Sequence, residues 1–346
     1  MSVYLYPGGF RLIRKSGVGQ AILHQRKALA AAGVPLAQTM AEGDIVHINT
    51  VFPDSFLAAL TARLSGKKVV YYAHSTMEDF RRSFPGSNWF APLFKRWIKW
   101  CYQMGDVIIT PTGYSRSLLL GYGIRKPIYS LTNGVDTEFF APDKTRRQAF
   151  RERYGLSDWD QVVISVGHTI ERKGILDYIT LARQMPQVKF FWFGHTPGYL
   201  VPKAVHRAMK EAPGNLFFAG YVGQEKLRDA YCGADVFAFL SLEETEGIVV
   251  LEALSCGIPT VLRDIPVYQG WLPEGNGIWK AHDTAGIQKA VGEALACPRC
   301  HTATVGRGVA LSRRLETVGQ SLAAIYRKEF LVPQSENNYK SKEVIS

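Results

Sequence analysis

The sequence predicts two consecutive α/β domains, each a parallel sheet with helices on both faces. Three observations carry this. A chain of 346 residues, 47% hydrophobic and 21% charged, has the length of two domains that can each bury a core. Short continuous apolar runs recur along it, as strands buried on both faces require. Longer amphipathic stretches lie between them and end at glycine, a common helix stop.

In the first half the strand candidates are VYLY (3–6), DIVHINT (44–50), KVVYYAH (68–74), DVIITPT (106–112) and PIYSLTN (127–133). Helical patterns such as GQAILHQRKALAAAG (19–33) and DSFLAALTARLSG (54–66) separate them. The second half repeats the design with VVISVG (162–167), VKFFWFG (188–194), NLFFAG (215–220), DVFAFLS (235–241) and PTVLR (259–263). The junction falls in NGVDTEFFAPDKTRRQ (133–148), where turn signals give way to charge without strong periodicity. The domains are therefore expected at 1–140 and 141–310. A last helix, about 311–330, returns to the first domain, and a polar tail, 331–346, is expected to be disordered.

No run of 18 apolar residues exists, and the first 15 residues lack the order of a signal peptide, so a cytoplasmic protein is expected. Five scattered cysteines fit reduced thiols better than a disulfide framework. The net charge of +11 is uneven: residues 1–140 hold 16 basic and 8 acidic side chains. A basic first half suits an anionic partner, whether nucleic acid, phosphate or an acidic membrane, or is simply a solvated surface.

Chemistry concentrates after the DVFAFLS strand. An acidic loop, SLEETEG, leads into a helix that begins near Gly247. A helix starting just beyond a parallel strand aims free N–H groups at the sheet's carboxyl edge, where they suit a diphosphate. Gly247, Ile248 and Val249 supply those groups. Glu252, in the second turn, can accept ribose hydroxyls, and Glu244 in the loop can reach sugar hydroxyls. The alternative is an acidic loop that only caps a helix.

SLEETEGIVVLEALSCGIPTV (241–261) resembles the Glu-x7-Glu signature of family 4 retaining glycosyltransferases, and other segments resemble that family in the expected order. VGHTIERKGI (166–175) looks like the loop whose basic residues hold the donor diphosphate, which implies that role for Arg172 and Lys173. YYAHSTMEDF (71–80) places His74 where the family keeps a histidine near the donor sugar. TNGVDTEFF (132–140) is similar to the interdomain segment. KSGVGQ (15–20), with Gly17 and Gly19, resembles the first-domain turn beside the donor phosphates and acceptor. One departure stands out: His168 occupies the position of the usual arginine after the first glycine, and Arg172 is expected to compensate.

The resemblance implies a GT-B fold, two Rossmann-like domains with a cleft between them, and no required metal or other cofactor. EETEGIVVLEAL, RDIPVYQGWL (263–272) and HSTMEDFRRSF (74–84) look most like glycolipid synthases of lipoteichoic-acid anchors. Those enzymes move glucose or galactose from a UDP-sugar to diacylglycerol or glucosyl-diacylglycerol in α linkage, and a soluble or polysaccharide acceptor is the alternative. The implied partners are the UDP-sugar, the glycolipid and an anionic membrane, on whose inner face the protein would sit peripherally; nucleic acid is not among them. The basic, aromatic segment NWFAPLFKRWIKWCYQ (88–103) agrees, with Trp97, Lys95, Arg96 and Lys99 as expected membrane contacts. The competing assignment is a crossover helix that packs Trp97, Ile98 and Cys101 onto the sheet.

Other patterns carry less. Cys297-Pro-Arg-Cys300-His301 matches a haem-attachment spacing but has no export signal. Asp158-Trp159-Asp160 reads as a surface turn ahead of the second domain's first strand. His47 reads as a core or edge residue, while His195 and Tyr221, just past strands, either contact a base or pack in their loops.

Overall fold

A computed structural model describes residues 1–9, 13–14, 16–297 and 299–331, with 299–304 described by backbone alone. The tail from 332 onward and the side chains of Cys300 and His301 lie outside the described residues.

Each expected apolar run carries a strand. The first sheet contains β1 (Val3–Tyr6), β2 (Ile45–Ile48), β3 (Lys68–Tyr72), β4 (Val107–Thr110) and β5 (Ile128–Ser130), parallel and in that spatial order. Alternate side chains leave opposite faces. Val46, Ile48, Tyr71 and Ile108 therefore pack with the core beneath helices Pro53–Leu64 and Ser87–Gln103. Val70, Tyr72 and Ile109 turn the other way, toward helices Gly17–Ala31 and Leu315–Phe330. The last of these comes from the far end of the chain. Gly319 lets it approach closely, because a Cβ there would stand 1.9 Å from the carbonyl oxygen of Ala28.

The second sheet holds β6 (Val162–Val166), β7 (Lys189–Phe193), β8 (Leu216–Gly220), β9 (Val236–Phe239), β10 (Thr260–Arg263) and β11 (Ile278–Ala281). Its order is β11-β10-β9-β6-β7-β8, all parallel. The strand β11 was not expected: IWKA is short, half-buried and follows a Gly-rich turn, so it shows no apolar run. Chain order reverses between β6 and β9, and their carboxyl ends open a crevice where ligands of such sheets bind. Among the described residues no helix is long and apolar enough to cross a membrane.

Candidate functional site

Two loops of the second domain meet at that crevice. After β6 the chain makes a tight turn, Glu171–Lys173, and leaves it through Gly174 at φ 73°. A Cβ on Gly174 would lie 2.1 Å from the Leu240 carbonyl oxygen, so only glycine lets the turn press against the end of β9. After β9 comes the EETEG loop. Gly247, at φ 90°, starts the helix Ile248–Ser255, and among the described residues no side chain caps that start.

The turn and loop bring opposite charges together. Glu244 is buried, and its Oε1 accepts from Lys173 Nζ and from Ser241 Oγ at 2.7 Å, with Arg172 Nη1 at 3.6 Å. Burial alone would raise its pKa, but Lys173 and Arg172 outweigh burial and hold it below the usual carboxylate range. Glu252 has the opposite balance. It is buried with the Tyr231 hydroxyl donating to it at 3.0 Å, and burial pushes its pKa up to about 7.

A cleft of about 320 Å³ joins these groups to the first domain. Its first-domain wall includes Ser16, Gly17 and Gln20 at the start of helix Gly17–Ala31, together with His74 and Asp79. Gly17 leaves open space where a side chain would be, whereas Gly19 is pressed on its own loop, 2.3 Å from Ile13 O to an ideal Cβ. His74 follows β3, stacks on Tyr72 with ring centroids 4.6 Å apart, and pairs through Nε2 with Asn49 Oδ1 at 2.9 Å. Burial lowers its pKa to about 3, so the ring is neutral near pH 7. His168, His195 and Tyr221 line the second-domain end of the cleft, and His168 Nδ1 lies 3.1 Å from the His195 carbonyl oxygen. Burial also lowers the pKa of His168.

The structure thus gathers Glu244, Glu252, Lys173, His74, Gly17 and Gly247–Val249 around one cleft. Arg172 lines it too, but its guanidinium is engaged by Asp79 of the first domain at 2.7 Å. Two neighbours of Glu244 play parts that sequence reasoning missed. Glu246 is buried and accepts from Thr132 Oγ1, Asn133 N at 3.0 Å and Asn133 Nδ2 at 2.7 Å, tying the EETEG loop to the segment that follows β5. Glu243 accepts from Tyr114 at 3.2 Å. Only the order of acidic residues along EETE hinted at this division, and it did not say which one faced which domain.

The helix Ser87–Gln103 corrects one expectation. Trp97 does not face outward: its Nε1 donates to Val51 O at 2.6 Å and its ring packs on Phe56. Lys95 folds over the Tyr122 ring, 4.6 Å from its centroid, and Lys99 is half-buried, so neither projects freely as expected. The outward face instead carries Trp89, Leu93, Arg96 and Trp100, which share one side by helical spacing. Trp89 is 77% exposed, Leu93 60% and Trp100 56%, with Phe90 beside them at 45%.

Comparison with known proteins agrees with this arrangement. A family model described as Glycosyltransferase Family 4 matches residues 26–139, and one described as Glycosyl transferases group 1 matches 146–302. The chain is 36% identical over 332 residues to the processive diacylglycerol alpha-glucosyltransferase of Acholeplasma laidlawii, covering 95% of this chain and 98% of the relative. It is 31% identical to the alpha-galactosylglucosyldiacylglycerol synthase of Streptococcus pneumoniae, over 68% of this chain and 64% of that one. In fold it resembles Anabaena HepE, solved with UDP-glucose, at TM-score 0.72 and 18% identity over 94% of this chain and 99% of that one.

Proposed function

Because the chain belongs to the family 4 glycosyltransferases, with the GT-B fold, we propose that it transfers glucose or galactose from a UDP-sugar to diacylglycerol or glucosyl-diacylglycerol, retaining the α configuration. The observation that carries this reading is the likeness to a diacylglycerol glucosyltransferase along nearly the whole of both chains.

The cleft offers each step a side chain. Lys173 and the N–H groups at Gly247–Val249 stabilise the diphosphate as it leaves, a charge that grows toward the transition state. The carboxylate of Glu244, kept ionised by Lys173, accepts hydrogen bonds from hydroxyls of the hexose. Glu252 accepts the ribose hydroxyls, and neutral His74 contacts the sugar from the opposite domain. Retention then proceeds by front-face attack. The bond from C1 to the diphosphate oxygen breaks, the acceptor oxygen bonds C1 on the same face, and its proton passes to the departing phosphate oxygen. Positioning and charge do this work, so no metal is assigned to the cycle. In this reading Trp89, Phe90, Leu93 and Trp100 sink into the headgroup boundary while Arg96 meets anionic lipid, with the protein peripheral on the inner face of the membrane. Its glycolipid product would serve as a lipoteichoic-acid anchor.

The test is transfer from UDP-glucose and UDP-galactose into anionic liposomes containing either acceptor, with product mass and anomeric linkage determined. One of the sugars should appear α-linked on the lipid, and Glu244→Gln should lower turnover by orders of magnitude without unfolding the protein. Transfer to soluble sugars alone, or a fully active Glu244→Gln, refutes the proposal.

A further inference from the structure

Arg172 is held by the first domain more completely than a diphosphate ligand should be. Its backbone N donates to Arg82 O at 3.1 Å and Nε to Ser83 Oγ at 3.0 Å, and Nη1 forms an ion pair with Asp79 Oδ1 at 2.7 Å. Nη1 also donates to Glu243 O at 2.9 Å within its own domain, and the Arg172 carbonyl accepts from Leu242 N at 2.7 Å. The residue is 8% exposed.

The receiving segment is built to take it. Arg82 sits at φ 56°, a left-handed conformation costly for a side-chain-bearing residue, and this turns its carbonyl to the Arg172 amide. Arg82 N is held by Asn88 Oδ1 at 3.0 Å, Ser83 Oγ donates to Asp79 O at 2.8 Å, and Phe80 stacks on Phe94 at 4.0 Å. Residues 79–83 are thus fixed on the helix Ser87–Gln103 before they meet the other domain.

A guanidinium presents five N–H groups in a rigid fork. Here Nε donates to Ser83, and Nη1 donates to Glu243 O while it pairs with Asp79. Each two-nitrogen edge of the fork thus has one nitrogen engaged, so Arg172 cannot present a full bidentate edge to a diphosphate and keep these contacts. We propose that Asp79, Ser83 and Arg172 form a latch that holds the two domains closed over the donor, leaving the diphosphate to Lys173 and the helix start at Gly247. Asp79 is then a positioning residue that acts on the closed state and touches no reacting atom. The inference rests on the reading of the cleft as a UDP-hexose site.

The experiment uses the full chain and three measurements: radius of gyration by small-angle scattering with and without UDP, UDP affinity by calorimetry, and kcat and KM in the liposome assay. Asp79→Asn should expand the protein even without UDP and lower kcat at least about tenfold, while the UDP dissociation constant moves less than about threefold. Asp79→Glu should restore part of kcat, and Ser83→Ala, a milder change, should act in the same direction. Asp79→Asn combined with Arg172→Ala should cost no more than Arg172→Ala alone, since one contact can be lost only once. Losses that multiply, or Arg172→Ala weakening UDP as Lys173→Ala does while Asp79→Asn stays compact, overturn the latch. A wild-type protein that binds no UDP refutes the donor reading instead, and the scattering of unliganded Asp79→Asn still decides the latch.

Discussion

Replacing Glu252 by glutamine should remove most of the pH dependence of donor binding. Burial moves this carboxyl from 4.5 to about 7, and only Tyr231 compensates. If ribose hydroxyls need the ionised form, donor affinity follows its ionised fraction, which rises from about a tenth at pH 6 to about nine tenths at pH 8, a gain of about tenfold. The same shift has a cost in stability. The folded state keeps this proton up to about pH 7 while the unfolded chain loses it near 4.5, so the folded state loses stability as pH rises across that window. At about 1.4 kcal/mol per pH unit the loss is on the order of 3 kcal/mol and is complete above pH 7. The assay is calorimetry with UDP-glucose from pH 6 to 8, beside thermal melts from pH 4.5 to 8, for wild type and Glu252→Gln. Burial also raises Glu243 to about 7, so the difference between the two proteins, not either profile alone, reports on Glu252. Equal slopes in both proteins, or tighter wild-type binding at pH 6 than at pH 8, would refute the reasoning.

Lys173→Ala should weaken UDP at least tenfold; a wild-type protein at a hundred times its dissociation constant gains about 2.7 kcal/mol from ligand, and a thermal-shift assay should show about half of that gone. Trp89→Ser with Trp100→Ser should release the protein from anionic liposomes in a flotation assay and leave UDP affinity unchanged. Trp97→Ala should instead lower thermal stability, by about 3 kcal/mol for a large aromatic ring removed from a core, without a selective loss of lipid binding.

The two sheets and the loops after β6 and β9 were legible in the sequence because their signals are local. A buried parallel strand announces itself as an apolar run such as VVISVG, and the strand-to-helix junction at Gly247 is contiguous in the chain. The Lys173–Glu244 pair was not read from the sequence; it follows from the strand order, in which β6 and β9 are neighbours at the switch point. Where such a signal was weak, as in the short half-buried IWKA strand, the element was missed.

What stayed hidden depends on which way a side chain turns once distant segments meet. In the helix Ser87–Gln103, Trp97 and Trp100 are both aromatic beside cations, and they differ only in that Val51 and Phe56 wait under one of them. Arg172 and Lys173 are adjacent and both cationic, yet one pairs with Asp79 of the other domain and the other with Glu244 of its own. The sequence places two cations beside the proposed diphosphate site and is silent on that choice. Asp79 decides it, ninety-three residues away in the chain. Since a cation committed to a carboxylate across the cleft stabilises closure and a cation left near the phosphates stabilises the leaving group, Asp79 sets how the two are divided between holding the domains together and assisting the reaction.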